Sequence, residues 1–309
     1  MLAAGSARAG GPKLQLVVRD EQWHHSGPKY NLASVAGSCR YVSTMESRRG
    51  LEEWFRGRGR VLLGYSGGVD SALLAVVGAR SLGPDRFLAV LGRSASFPEV
   101  QWRQARSIAD LFGVPVLEID TAELANPEYR ANSPERCYFC KSELWARLAE
   151  VAEASGFDTI IDGTHADDLG EHRPGGRAAA ERRIGSPLAE LGWTKAMIRE
   201  EARVLGLPIW DAPAAPCLSS RIRYGLAVTP ERLRQVELGE KFLRTLGVRG
   251  DLRVRHYDDV ARIEVKPDMF LLVDTHWAAI ESGFAALGFE SVERDPTGYR
   301  RGKLLPVAS

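Results

Sequence analysis

The chain has 309 residues, 44% of them apolar and 26% charged, with a formal net charge of +1. That length suits one large or two modest globular domains with a buried core. The balanced charge gives no global field for nucleic acid or an anionic membrane. No apolar run is as long as a membrane span, no secretory leader opens the chain, and four cysteines are too few for a disulfide scaffold, so a cytoplasmic enzyme with reduced thiols is expected.

Residues 1–44 are small, glycine-rich and aperiodic, and read as a poorly ordered extension; Met45 is an alternative translation start, and Cys39 is not counted as functional. A first helix is expected over Arg49–Arg56. From there short apolar runs alternate with segments of helical periodicity. The expected strands are Val61–Tyr65, Phe87–Leu91, Val114–Ile119 and Asp158–Ile161; the helices are Asp70–Arg80, Pro98–Phe112 and Lys141–Ser155. This βαβα rhythm predicts an α/β domain over residues 45–221, a parallel sheet with helices on both faces. Ligands of such sheets bind beyond the carboxyl ends of the strands, where Ser66–Ser71, Gly92–Ser96 and Asp162–Asp168 fall.

A smaller α+β unit is expected over residues 222–309. Thr229-Pro230-Glu231 reads as an N-cap, a proline at the first helical position and an acidic first turn, with the helix ending near Leu246 before Gly247. Leu252–His256 and Ala261–Lys266 alternate as two strands joined at Tyr257-Asp258-Asp259. Pro267 opens a further helix, and Phe289–Glu293 reads as another strand.

Four constellations carry chemistry. Ser66-Gly67-Gly68-Val69-Asp70-Ser71 joins a buried strand to a helix. Glycines let the backbone approach a ligand, helix-start N–H groups and serine hydroxyls can hold a phosphate, and Asp70 can hold a cation. No lysine follows, so this is not a Walker loop. The plain alternative is a glycine turn of any α/β protein.

Cys137-Tyr138-Phe139-Cys140 is placed in a loop before a helix. The spacing alone leaves open a redox pair, a zinc knuckle, an iron–sulfur ligand set and buried structural thiols. Cys217 follows Pro216 and precedes Ser219, Ser220 and Arg221; a nearby cation would favour its thiolate, and a solitary buried cysteine is the bland reading. Asp162, Asp167 and Asp168 suit a ribose or a magnesium ion on a polyphosphate, or else simple loop capping, with His165 and His172 read as solvated loop histidines. Arg253 and Arg255 share one strand face and can converge on a phosphate, with Glu264 as a structural ion-pair partner.

The segment SGGVDS resembles the PP-loop of ATP pyrophosphatases, which split ATP into AMP and pyrophosphate. In order along the chain, SGGVDSALL, NSPERCYFCKSEL, DGTHADDLGEHRPG, SPLAELGWTKAMIRE, LGLPIWDAPAAPCLSSRI and RVRHYDDVARIEV resemble the LarE family of ATP-dependent pyridinium-3,5-biscarboxylic acid mononucleotide sulfurtransferases, over residues 48–295. The resemblance implies adenylylation of a carboxylate with ATP and Mg²⁺, then displacement of AMP by sulfur, on the way to a nickel-pincer nucleotide cofactor.

It implies pyrophosphate contacts for Ser66, Gly67, Gly68, Asp70, Ser71 and Asp168, and substrate-phosphate contacts for Arg221, Arg253 and Arg255, with Ser220 and Glu264 nearby. Some members sacrifice one cysteine at the position of Cys217; others hold a [4Fe–4S] cluster on three. Cys137, Cys140 and Cys217 match the second type. Departures stand at His165, where asparagine is expected, and His172, where tyrosine is expected. The resemblance also implies homo-oligomers, hexamers built from trimers, and leaves the sulfide donor open. A PP-loop tRNA thiolation enzyme is the alternative, weakened by the net charge of +1 and the absence of a basic run. An ammonia-using amide synthase and a non-catalytic nucleotide and cluster sensor are further readings.

Overall fold

The computed structural model describes residues 38–169 and 174–300, with side chains from Glu46 onward. Most of the expected extension therefore lies outside the described residues, as does His172. Helix α1 (Ser38–Arg56) starts earlier than the expected Arg49 and reaches into that extension. It is followed by β1 (Val61–Gly64), α2 (Val69–Leu82), β2 (Phe87–Arg93), α3 (Glu99–Phe112) and β3 (Val116–Asp120). Then come α4 (Pro127–Arg130), α5 (Arg136–Ser155), β4 (Thr159–Ile161), α6 (Pro174–Glu181), α7 (Pro187–Glu190) and α8 (Lys195–Val204).

Strands β1–β4 form one parallel sheet in the order β3-β2-β1-β4, as the βαβα rhythm predicts. Side-chain alternation shows why both faces need covering. Val61, Leu63, Phe87, Ala89 and Leu91 point into a core shared with α1, α2, α3 and α8. Leu62, Leu88, Val90 and Leu117 point the other way, onto Trp145, Leu148 and Val151 of α5 and Ala178 and Ala179 of α6. Two buried faces explain the near-continuous apolar strands. Successive side chains serve opposite cores, so a register slip of one residue would exchange them.

The second unit comprises α9 (Pro230–Thr245), β5 (Leu252–Tyr257), β6 (Val260–Val265), α10 (Phe270–Thr275), α11 (Trp277–Ala286) and β7 (Ser291–Arg294). Its sheet has the order β5-β6-β7, antiparallel at β5–β6 and parallel at β6–β7. Thr229 caps α9 as expected, its hydroxyl accepting from Arg232 N at 3.3 Å. Val254, Ile263, Val273, Ile280 and Phe284 form its core.

The two units meet along residues 218–228. Leu218, Ile222 and Val228 pack with Tyr129 of α4 and with Leu233 and Val236 of α9. Ile222 bridges His256 of β5, and Val228 N donates to Arg130 O at 2.9 Å. Among the described residues no helix is long and apolar enough to cross a membrane.

Candidate active site

The Ser66–Ser71 turn leaves β1 at the middle of the sheet, and α2 begins at Val69. Its N-cap, Gly68, offers no side chain to the first-turn N–H groups, so they stay available to an anion. Ser71 Oγ donates to Gly68 O at 3.1 Å and lies 3.2 Å from Ser66 Oγ. Gln101 and Gln104 of α3 donate to Ser66 O and Gly67 O, each at 3.1 Å.

The two glycines differ in kind. Gly67 has φ +70°, and a Cβ there would lie 2.5 Å from Ala105 Cβ, so the fold itself demands glycine. At Gly68 the nearest atom to an added Cβ is Ser66 Oγ at 3.6 Å. Nothing in the fold requires that second glycine, which points to close approach by a ligand.

Asp70 is held on both carboxylate oxygens by Lys195 Nζ, at 2.5 and 2.7 Å. The SGGVDS motif gives no hint of this lysine, which sits 125 residues away at the start of α8. The pair fixes the carboxylate at the first turn of α2.

The acidic loop after β4 follows the plainer reading. Asp162 accepts from Thr164 N at 3.0 Å and Ser186 Oγ at 2.8 Å, Asp167 accepts from Lys195 N at 2.7 Å, and Asp168 accepts from His165 N at 3.2 Å. His165 is buried beside Asp168, at 3.5 Å, which corrects its reading as a solvated histidine. The short helical turn at Ala166–Asp168 folds the imidazole inward.

The cysteine pair also needs correction. Cys137 and Cys140 occupy the first turn of α5, not a loop before it. Asn132, at φ +55°, turns the chain, and Ser133 Oγ accepts from Glu135 N at 3.2 Å, so the helix begins earlier than the apolar periodicity suggests. Three apart on a helix, the two thiols share a face.

Cys217 lies opposite, before a helical turn over Leu218–Arg221. Leu218 N donates to Ser96 O, beyond the end of β2, at 2.8 Å. This seats the Cys217 segment over the strand next to that of the Ser66–Ser71 turn.

The thiols of Cys137 and Cys140 both register Cys217. Cys137 is exposed, yet atoms around its sulfur desolvate it and raise its pKa, with repulsion from Cys217 adding and Arg136 opposing. Burial raises Cys140 first, then the Glu123 carboxylate and Cys217. Glu123 is itself buried and accepts from Ser96 Oγ at 2.7 Å and Thr121 Oγ1 at 2.8 Å. Tyr129, bonded to Ser219 Oγ at 2.6 Å, completes this wall.

Among the described residues no group of three His, Cys, Asp or Glu side chains is arranged to hold a single metal ion. The free thiols of the described residues, Cys137, Cys140 and Cys217, nonetheless converge on one region, since Cys217 acts on both of the others.

Three arginines lie on the other side of Cys217. Arg221 donates to Pro216 O at 2.5 Å and Cys217 O at 2.9 Å, and its Nε meets Glu240 of α9 at 2.9 Å. Ser220 Oγ also donates to Cys217 O, at 2.7 Å. Arg255 pairs with Glu264 at 2.9 Å and donates to Ser220 O at 2.8 Å. The expected structural partnership of Glu264 is thus real, and it falls on Arg255.

Arg253, opposite Glu264 in the strand register, makes no ion pair among the described residues. Burial lowers its pKa first, then the neighbouring Arg221 charge. Sequence reasoning missed Glu240, Glu123, Tyr129, Arg136 and Lys195. Only the neighbours of Cys137 carried any signal, since Arg136 adjoins it.

A parallel sheet of this order, with a Ser-Gly-Gly-x-Asp-Ser turn feeding an uncapped helix start, defines a PP-loop ATP pyrophosphatase fold. Residues 52–165 match the family model described as NAD synthase. An uncharacterized protein of Synechocystis sp. is 42% identical over 82% of this chain and 95% of its own length. Pyridinium-3,5-bisthiocarboxylic acid mononucleotide synthase of Lactiplantibacillus plantarum is 32% identical over 79% of this chain and 88% of its own length. An uncharacterized protein of Methanocaldococcus jannaschii is 31% identical over 79% of this chain. The chain belongs to the LarE family and is an ATP-dependent sulfurtransferase.

Proposed function

We propose that the chain adenylylates a carboxylate of pyridinium-3,5-biscarboxylic acid mononucleotide and then replaces AMP with sulfur, in nickel-pincer nucleotide cofactor synthesis. The observation that carries this reading is the Cys217 segment, which has thiols on one side, arginines on the other and the ATP turn alongside. A carboxylate is a poor electrophile because it lacks a leaving group. In the first step a carboxylate oxygen attacks the α-phosphorus of ATP, the bond to the β-phosphate oxygen breaks, and pyrophosphate leaves. Ser66, Gly67, Gly68 and Ser71 would hold the departing phosphates through N–H and O–H donors, Asp70 the Mg²⁺, and Asp168 the acidic rim.

In the second step sulfur attacks the acyl carbon and the bond to the AMP oxygen breaks, leaving a thiocarboxylate. Arg253 supports a phosphate-bearing substrate, because a buried cation without a carboxylate partner calls for an anion. Arg221 and Arg255, fixed by Glu240 and Glu264, would frame it. Cys137, Cys140 and Cys217 would hold a [4Fe–4S] cluster. Three ligands leave one iron without a cysteine, and the chemistry supplied there is a bound, replaceable sulfide. In the same reading residues 45–221 form the ATP domain, and residues 222–309 serve substrate binding and trimer-based assembly.

The test is pyrophosphate release from ATP and Mg²⁺ by protein purified without oxygen. Release is expected with the biscarboxylic acid mononucleotide and not without it. Release that depends instead on tRNA, or a product carrying amide nitrogen from ammonia, would overturn the proposal.

A further inference from the structure

The three thiols come from two segments some eighty residues apart, so something must fix the distance between them. Four hydrogen bonds tether Leu218, Ser219 and Ser220, the residues that follow Cys217, to other parts of the fold. Leu218 N reaches Ser96 O, Ser219 Oγ reaches Tyr129, and Arg255 reaches Ser220 O, at 2.8, 2.6 and 2.8 Å. These run to the loop after β2, to α4 and to β5. The fourth comes from Arg136, whose Nη1 donates to Ser219 O at 2.9 Å. Of the four, this one originates on the helix that bears Cys137 and Cys140.

Arg136 is 5% exposed. The same Nη1 also donates to Asn132 Oδ1. Asn132, fully buried, spends its amide on the same partner segment, donating to Ile222 O at 3.3 Å and to Arg223 O and Leu226 O at 2.8 Å each. Its φ of +55° is tolerated by asparagine and glycine better than by other residues.

Arg136 thus ties the start of α5 to the turn after Cys217, and Asn132 ties it to the loop that follows, residues 222–226. The guanidinium lies 5.2 Å from the Tyr224 ring, and its charge acts on the neighbouring Cys137 thiol. It has no carboxylate partner among the described residues, and its Nε–H is buried without an acceptor. A buried cation with no carboxylate partner among the described residues, and with one donor unspent, thus adjoins Cys137.

We propose that Arg136 is a positioning residue for sulfur transfer: with Asn132 it clamps the Cys137–Cys140 turn against Cys217 and offers its free donor to the negative charge of the sulfur centre. The inference rests on the reading of the three cysteines as that centre. Lysine cannot replace it, since an ammonium has neither the planar face that Arg136 presents to Tyr224 nor a second donor nitrogen beside the one that binds Asn132 and Ser219.

The variants are Arg136→Lys and Asn132→Gly; the glycine keeps the left-handed backbone and removes the amide. A short bismaleimide cross-linker, read by peptide mapping, reports whether Cys217 is within reach of Cys137 or Cys140, independently of any activity. Wild type is expected to link them. Both variants should stay folded at the assay temperature and link them about 10-fold less, the scale of one lost hydrogen bond to a charged group, with Asn132→Gly melting lower because it gives up four hydrogen bonds.

Thiocarboxylate formation should fall by a similar factor while acceptor-dependent pyrophosphate release holds. Cross-linking and sulfur transfer both at wild-type level in folded Arg136→Lys would overturn the clamp, and if that variant fails to fold, Asn132→Gly decides on the same readouts. Cross-linking lost in the variants, with no acceptor-dependent pyrophosphate release in wild type, would overturn the functional reading and leave the clamp standing.

Discussion

The Ser66–Ser71 turn and the cysteine site, proposed to hold ATP and the transferred sulfur, sit side by side at the carboxyl edge of one sheet, yet they are built in opposite ways. The turn is six consecutive residues whose donors are mostly backbone, held from behind by Gln101 and Gln104. The sulfur site is assembled from α5, the 216–221 segment, β5 and α9, and nearly all of its chemistry is in side chains. A backbone site tolerates few changes of shape, because the fold and the ligand compete for the same atoms. A side-chain site tolerates loss of single groups but depends on long-range tethers.

The sharpest way to separate the two is Cys217→Ala. Thiocarboxylate formation is expected to vanish while acceptor-dependent pyrophosphate release persists; an amide-forming enzyme would keep its whole reaction. The glycines divide the turn itself. Gly67→Ala should cost about 2 kcal/mol or more of stability, from the positive φ and the overlap with Ala105. Gly68→Ala should melt with wild type and yet raise the KM for ATP about 10-fold, as a Cβ intrudes on the phosphates. Equal melting losses in both would contradict a ligand-driven second glycine.

On the arginine side, Arg253→Met should raise the KM for the mononucleotide about 10- to 100-fold and leave the KM for ATP unchanged. Removing an unpaired buried cation should also leave the protein no less stable. An unchanged mononucleotide KM would remove Arg253 from the substrate site.

The smallest expected effect is a difference in pH response. Glu201 of α8, buried and 2.9 Å from Arg48 of α1, is pushed up to about 7 by burial. Its folded form binds more protons than the unfolded chain above pH 4.5, so that packing weakens as pH rises through 7. Burial pushes His256 of β5 down to about 4, beside Gln235, with the Arg232 charge adding to the shift. Here the unfolded chain binds more protons, so stability of the second unit is complete above 6.5 and is lost as pH falls toward 4. Hydrogen exchange of α8 and β5, corrected for intrinsic rates, should therefore slope in opposite directions between pH 4.5 and 6.5, and Glu201→Gln should flatten the first slope alone.

The contrast also explains what could be read in advance. The sheet, its crossover helices and the glycine turn were legible because each depends on local pattern: apolar runs buried on two faces, a 3.6-residue period, adjacent glycines. Thr229 announced its helix for the same reason. Lys195, Glu240 and Asn132 were not legible, because their roles exist only once distant segments pack. The start of α5 was misplaced because Asn132, Ser133 and Arg136 begin the helix with polar residues, ahead of any apolar period. Asp162 and Asp168 drew attention as acids, and the hydrogen bonds with which they also close their own loop became visible only in the structure.

The account stands most directly on how often one chain can deliver sulfur. Protein purified without oxygen, supplied with sulfide, ATP and the biscarboxylic acid mononucleotide, should make more than one thiocarboxylate per chain, keep its intact mass, and carry iron that Cys137→Ala loses. At most one product per chain, with the mass of one H₂S lost at Cys217 and no bound iron, would contradict it.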